Sequence, residues 1–88
     1  MLALHEWGDP TDPPLLLVHG LTESATAWPD AVARWSSQYH VLAIDQRGHG
    51  ASPRWDDEAL ARAPQTMHED LTRTLARLPE PPVVVAHS

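Results

Sequence analysis

The sequence predicts an α/β domain with a mostly parallel sheet, and three observations carry the prediction. Leu15 to His19, Val41 to Ile44 and Val83 to Ala86 are apolar runs without alternation. Such runs suit strands covered on both faces of a sheet. Helical patterns separate them, and strands alternating with helices imply right-handed crossovers and parallel pairing. Each run also ends in a residue set suited to a sharp turn or a reactive group: His19-Gly20, Asp45 to Pro53, and Ala86-His87-Ser88. Ligands of open α/β sheets bind at the carboxyl ends of the strands.

The elements follow in order. Leu2 to Trp7 alternates loosely and can form a short strand, and Gly8 to Pro14 is dense in turn residues. Leu15 to His19 is the next strand, and Gly20 opens a polar loop over Leu21 to Thr26. Trp28, Ala31, Val32 and Trp35 recur at helical spacing, with Pro29 suited to the first turn and Asp30 to the positive helix end. Val41 to Ile44 is a strand leading into a loop with two glycines and a proline. Trp55 to Ala63 suits a short helix capped by Asp56 or Asp57 and interrupted by Pro64. Thr66-x-x-Glu69 reads as a capping box opening a second main helix, whose apolar stripe is Met67, Leu71, Leu75 and Leu78. Pro79 to Pro82 stops that helix before the last strand. The order is β-β-α-β-α-β.

Composition narrows the function. Eighty-eight residues allow one small domain at most, which is marginal without staples. No cysteine is present, so neither disulfides nor thiolate metal sites arise. The formal charge is −6, and the six arginines are scattered between positions 34 and 77, which argues against nucleic-acid binding. No apolar run approaches membrane-spanning length. Met1 to Glu6 shows no secretory pattern, so a cytoplasmic location is the expectation if Met1 is the start. The six histidines form no HExxH or paired ligand spacing, and no metal is expected. Asp45 to Ser52 also lacks the Gly-x4-Gly-Lys pattern of a phosphate loop.

Together and in this order, the strand ending His19-Gly20, the strand ending Asp45-x-Arg47-Gly48-His49-Gly50-x-Ser52 and the strand ending Ala86-His87-Ser88 resemble the α/β-hydrolase fold superfamily. The nearest likeness is its small-molecule branch of esterases, cofactor-free haloperoxidase-like enzymes and C–C bond hydrolases. The likeness covers essentially the whole chain, read as one partial domain over residues 1–88. It implies a sheet opened by a hairpin and continued by parallel strands, with this chain running from the second strand to the fifth.

The resemblance implies roles for particular residues. Ser88 would be the nucleophile of an elbow in which Ala86 stands where glycine is usual. Family order places the triad acid and histidine after the serine, so both would lie beyond residue 88 and the chain alone would be inactive. Asp45, which precedes the serine, is a poor triad acid. His87 would point away from Ser88 and pack beside the elbow. Leu21 would offer an oxyanion-hole N–H, although it could equally be a pocket wall. Gly20 would let the backbone approach the substrate, and His19 would hold that loop. Thr22 could line the site or face water. Asp45, Arg47, Gly48 and Gly50 would form an architectural turn near the pocket mouth, held by an Asp45–Arg47 ion pair or by backbone contacts. Trp55 could border the pocket or pack on a loop.

The expected activity is hydrolysis of a small ester-like or other carbonyl substrate through an acyl-serine, without a cofactor. Serine at the elbow argues against the aspartate-nucleophile branches of the haloalkane dehalogenase and epoxide hydrolase types. The alternative is a non-catalytic remnant or binding module that reuses the fold. With the sheet ending at residue 88, the last strand would be an open apolar edge through which the fragment self-associates.

Overall fold

The computed structural model describes residues 1–20 and 28–86. Its elements are β1 (Leu4–Trp7), β2 (Pro14–Val18), α1 (Pro29–Trp35), β3 (His40–Ile44), α2 (Asp57–Ala61), α3 (Ala63–Ala76) and β4 (Val83–Ala86). The sheet order is β1-β3-β2-β4. β1 runs antiparallel to β3, and β2 lies parallel to both β3 and β4. Consecutive β1 and β2 are therefore not sheet neighbours, and the turn between them carries the chain across β3. An Asx-type turn shapes that connection, because Thr11 donates to the Asp9 carboxylate through both its N–H and its hydroxyl.

β2 and β3 are central, and their unalternating apolar sequences are buried on both faces, as expected for such strands. Strand periodicity divides their side chains. Leu15, Leu17, Val41 and Ala43 form one core, closed by Trp7, Trp28, Ala31, Val32, Trp35 and Tyr39. Leu16, Leu42, Ile44 and Leu2 form the other, with Leu4, Val18 and Leu78 packed against it. At about 25 cal/mol per Å² of apolar area removed from water, these two layers are the main source of stability.

Three expectations need correction. The apolar run of β4 is not covered on both faces: Val83 and Val84 are 57% and 52% exposed. Among the described residues β4 lies at the end of the sheet order with β2 as its neighbour, which makes it the open apolar edge expected of the last strand. Thr66 does not cap a helix. Pro64 sits in the first turn of α3, where a missing N–H costs nothing, and α3 thus begins three residues before Thr66. The Thr66 hydroxyl instead donates to the Ala59 carbonyl, 3.0 Å away, and ties α3 to α2. Finally, α3 does not bury its apolar stripe. Its buried residues are Thr66, Asp70 and Thr74, while Met67, Leu71 and Leu75 are 52%, 40% and 38% exposed. Asp56 does cap α2, accepting the Ala59 N–H at 2.7 Å.

Candidate functional site

Parallel pairing of β2, β3 and β4 brings their carboxyl ends to one rim. Val18 is the register partner of Ile44 on one side and of Ala86 on the other. The His19-Gly20 segment, the Asp45 loop and the end of β4 therefore leave the sheet side by side. Ser88, His87, Leu21 and Thr22 lie outside the described residues, as do Glu23 and Ser24.

His19 is 1% exposed and fully engaged. Its Nδ1 donates to the Gly20 carbonyl at 2.6 Å, and its Nε2 accepts the Gln46 backbone N–H at 2.9 Å. A carbonyl can only accept and an amide N–H can only donate, so the ring is the Nδ1–H tautomer. The Gln46 side-chain amide donates to the His19 carbonyl at 2.6 Å. These bonds join the ends of β2 and β3 just beyond the sheet. The His19 ring also lies 4.9 Å from that of His49, tilted by 60°. Gly20 is buried and contributes its carbonyl to this knot.

The Asp45 loop closes on itself. The Asp45 carboxylate accepts the Ala51 N–H at 3.0 Å and meets His5 Nε2 at 2.9 Å. Ser52 Oγ donates to the Asp45 carbonyl and accepts the Ala3 N–H at 2.8 Å, which fastens the segment before β1 to the loop. Gly50 has a φ of +48°, and a Cβ there would collide with the Asp45 carboxylate. Backbone contacts thus hold the turn. The Asp45–Arg47 ion pair gives way to another: Arg47 Nε and Nη2 each lie 2.8 Å from a different oxygen of Asp70 on α3. That fork geometry is the strong form of the carboxylate–guanidinium bond. Donating these hydrogen bonds to the Asp70 carboxylate holds the Arg47 pKa above its usual value.

Between this loop, the ends of β2 and β3, and α3 lies a cleft of about 330 Å³. Leu2, Val18, Ile44, Trp55, Met67 and Leu71 give it apolar walls. Gln46, Arg47, His49, His68 and Asp70 supply its polar groups. Trp55 borders this cleft and also packs on the loop, with the Arg47 guanidinium carbon 5.8 Å from its ring centroid. Of the residues singled out in the sequence, the structure brings Arg47 and Trp55 to the cleft, with Gly48 against Trp55 and His19, Gly20, Asp45 and Gly50 at the adjoining rim. Met67, His68, Asp70 and Leu71 on α3 are among the lining residues that the sequence did not point to as a site. The only hint was Asp70 at helical spacing from Thr66 and Thr74, a polar stripe beside the apolar one. Among the described residues no group of three or more His, Cys, Asp or Glu could hold a metal ion. No helix among them is long and apolar enough to cross a membrane.

Comparison with known proteins gives one consistent family. Rhodomycin D methylesterase DauP of a Streptomyces species is 42% identical over 82 residues, which is 91% of this chain and 26% of that protein. Epoxide hydrolase A of Mycobacterium tuberculosis is 44% identical over 54 residues, 60% of this chain and 17% of the relative. The thioesterase domain from the curacin biosynthetic pathway superposes with a TM-score of 0.87 at 31% identity, covering 99% of this chain and 33% of its own. A putative aryl esterase from Burkholderia cenocepacia gives 0.86 at 28% identity, with 99% and 33% covered. The chain thus spans about a quarter or less of these two curated relatives and a third of these structures. The model of the "Alpha/beta hydrolase family" matches residues 15–88, and the chain belongs to that family.

Proposed function

We propose that these residues are the amino-terminal part of a serine hydrolase that cleaves a small ester-like or other carbonyl substrate through an acyl-serine intermediate. The observation that carries this reading is the common rim, where the parallel β2, β3 and β4 end in register. Ser88, two residues past the end of β4, is the nucleophile in this proposal. Leu21, one residue past Gly20, is the oxyanion-hole donor through its backbone N–H. The apolar cleft beside the rim suits the acyl or alkoxy part of an uncharged ester.

The relatives divide between esterase and epoxide hydrolase names. Serine at position 88 favours the esterase type, since an epoxide hydrolase of this fold would carry aspartate there. A serine becomes a nucleophile only when a histidine takes its proton and an acid orients that histidine. Family order puts both after Ser88, so the 88 residues alone are proposed to be inactive, and catalysis belongs to a chain that includes them.

A fluorophosphonate probe tests this on the full-length protein. Labelling at Ser88, lost in Ser88→Ala, is the expected result. A folded protein that the probe leaves unlabelled overturns it.

A second reading, a non-catalytic binding module or remnant, draws support from the open β4 edge and the half-exposed stripe of α3. On that reading the fragment self-associates through β4. Concentration-dependent sedimentation that Val84→Lys abolishes would favour it. A monomeric 88-residue chain with esterase turnover would exclude it.

A further inference from the structure

The cleft contains an arginine, and an arginine beside an active-site rim invites a role as anchor for a substrate carboxylate. Its surroundings argue otherwise. Both oxygens of Asp70 are held by Arg47 Nε and Nη2 at 2.8 Å, with the two side chains 17% and 6% exposed. Asp56 and Glu69 add further negative charge around the same guanidinium. A carboxylate arriving from solvent would have to displace a buried one already bound in the better geometry.

Trp55 is seated by the same group. The guanidinium carbon lies 5.8 Å from its ring centroid, within range of a cation–π contact. On the neighbouring side the indole packs against bare backbone: a Cβ added to Gly48 would come within 2.9 Å of Trp55 Cδ1. Gly48 has a φ of +84°, so the conformation and the missing side chain serve one packing arrangement. Asp70 projects from α3, Arg47 from the loop after β3, and Trp55 from the segment before α2. The three join separate parts of the chain around one cleft.

We propose that Asp70 is a positioning residue that fixes Arg47 as the support of the Trp55 wall, which leaves the cleft fit for an uncharged ligand rather than an anionic one. The ligand class rests on the hydrolase reading; the wall does not. Asp70 touches no reacting atom in this account. It acts through Arg47, and Arg47 acts through the indole.

The test labels the full-length protein with 5-fluorotryptophan and follows the ¹⁹F resonances of Trp7, Trp28, Trp35 and Trp55, each assigned by its own Trp→Phe variant. In Asp70→Asn and in Arg47→Lys, which cannot form the fork, the Trp55 resonance should move or broaden while the other three stay. Asp70→Glu should bring it part of the way back. A Trp55 resonance unmoved in both variants overturns the wall, as does a change that spreads equally over all four tryptophans.

A second arm compares p-nitrophenyl acetate with mono-p-nitrophenyl succinate. The wild type should favour the neutral ester in kcat/KM, and Asp70→Asn should shift that ratio at least tenfold towards the carboxylate ester by unmasking Arg47. A wild-type preference for the succinate ester overturns the ligand class. Hydrolysis of neither ester, with the Trp55 shift intact, counts against the hydrolase reading and leaves the positioning role standing.

Discussion

The two faces of the sheet are closed in different ways. On the α1 face, the stripe that sequence periodicity marks as apolar is the stripe that packs: Trp28, Ala31, Val32 and Trp35 meet Leu15, Leu17, Val41 and Ala43. On the α3 face the helix turns a polar stripe inward. Thr66, Asp70 and Thr74 are buried, and Met67, Leu71 and Leu75, one residue further round the helix, are left half exposed. One residue is about 100° of helix rotation. The rotation of α3 is fixed by tethers rather than by apolar contact: Arg47 to Asp70, Thr66 to the Ala59 carbonyl, and Arg77 to the Leu2 carbonyl. Apolar periodicity thus reports that a helix forms. It does not report which side of that helix meets the core when polar partners compete for the inward position.

The contrast can be broken most directly in the strands. Leu17→Ala on the α1 face and Leu42→Ala on the α3 face both empty fully buried positions. Each should cost about 4 kcal/mol in urea unfolding of the full-length protein, through lost burial and the cavity left behind. A cost on the α3 face below about 1 kcal/mol would mean that its core is not closed. Removing the tether comes next. Arg47→Ala strands the buried Asp70 carboxylate and should cost about 3 kcal/mol. An Arg47→Ala, Asp70→Ala double variant should recover part of that loss, because no charge is then left unpaired.

The half-exposed stripe should respond less within the isolated 88-residue chain. Leu71→Gln and Leu75→Gln there should each change stability by less than about 1 kcal/mol. The same exchange at Val32, which packs against the α1-face core, should cost more. The smallest effect is expected at the turn between β1 and β2. The Thr11 N–H and hydroxyl lower the pKa of Asp9 below the ordinary carboxylate value. A carboxylate whose folded pKa is depressed adds stability above its unfolded pKa, and that stability is lost as pH falls through the folded value. Stability followed from pH 6 down to pH 3 should therefore fall slightly less steeply in Asp9→Asn than in the parent chain.

Much of the architecture was legible in the residues. β2 and β3 announce themselves because strands buried on both faces need apolar side chains at every position. α1 was legible because its apolar stripe is its packed stripe and Pro29 sits in its first turn. The rim was legible through the order of its three strand ends. The start of α3 was misplaced because Pro64 carries two meanings, helix breaker and first-turn residue, and only the path of the chain selects between them. β4 reads as a buried strand by its own composition, and its exposure is legible only from its place as the last strand of the sheet. The Arg47–Asp70 fork was missed for a related reason. The residues are 23 positions apart, and sequence proximity favoured Asp45, whose carboxylate is taken by Ala51 and His5.

The convergence of the strand ends is the claim on which the site depends, and disulfide trapping tests it, since these 88 residues contain no cysteine of their own. Neighbouring strands lie about 4.8 Å apart, within the Cα separation that a disulfide spans. Val18→Cys with Ala86→Cys places thiols at register partners. Val18→Cys with Val83→Cys places them three residues out of register, roughly 10 Å along the strand. Under mild oxidation of the folded protein, the first pair should close within the monomer and the second should not. Closure of the second pair in preference to the first would put the end of β4 away from the end of β2, and the rim would not exist.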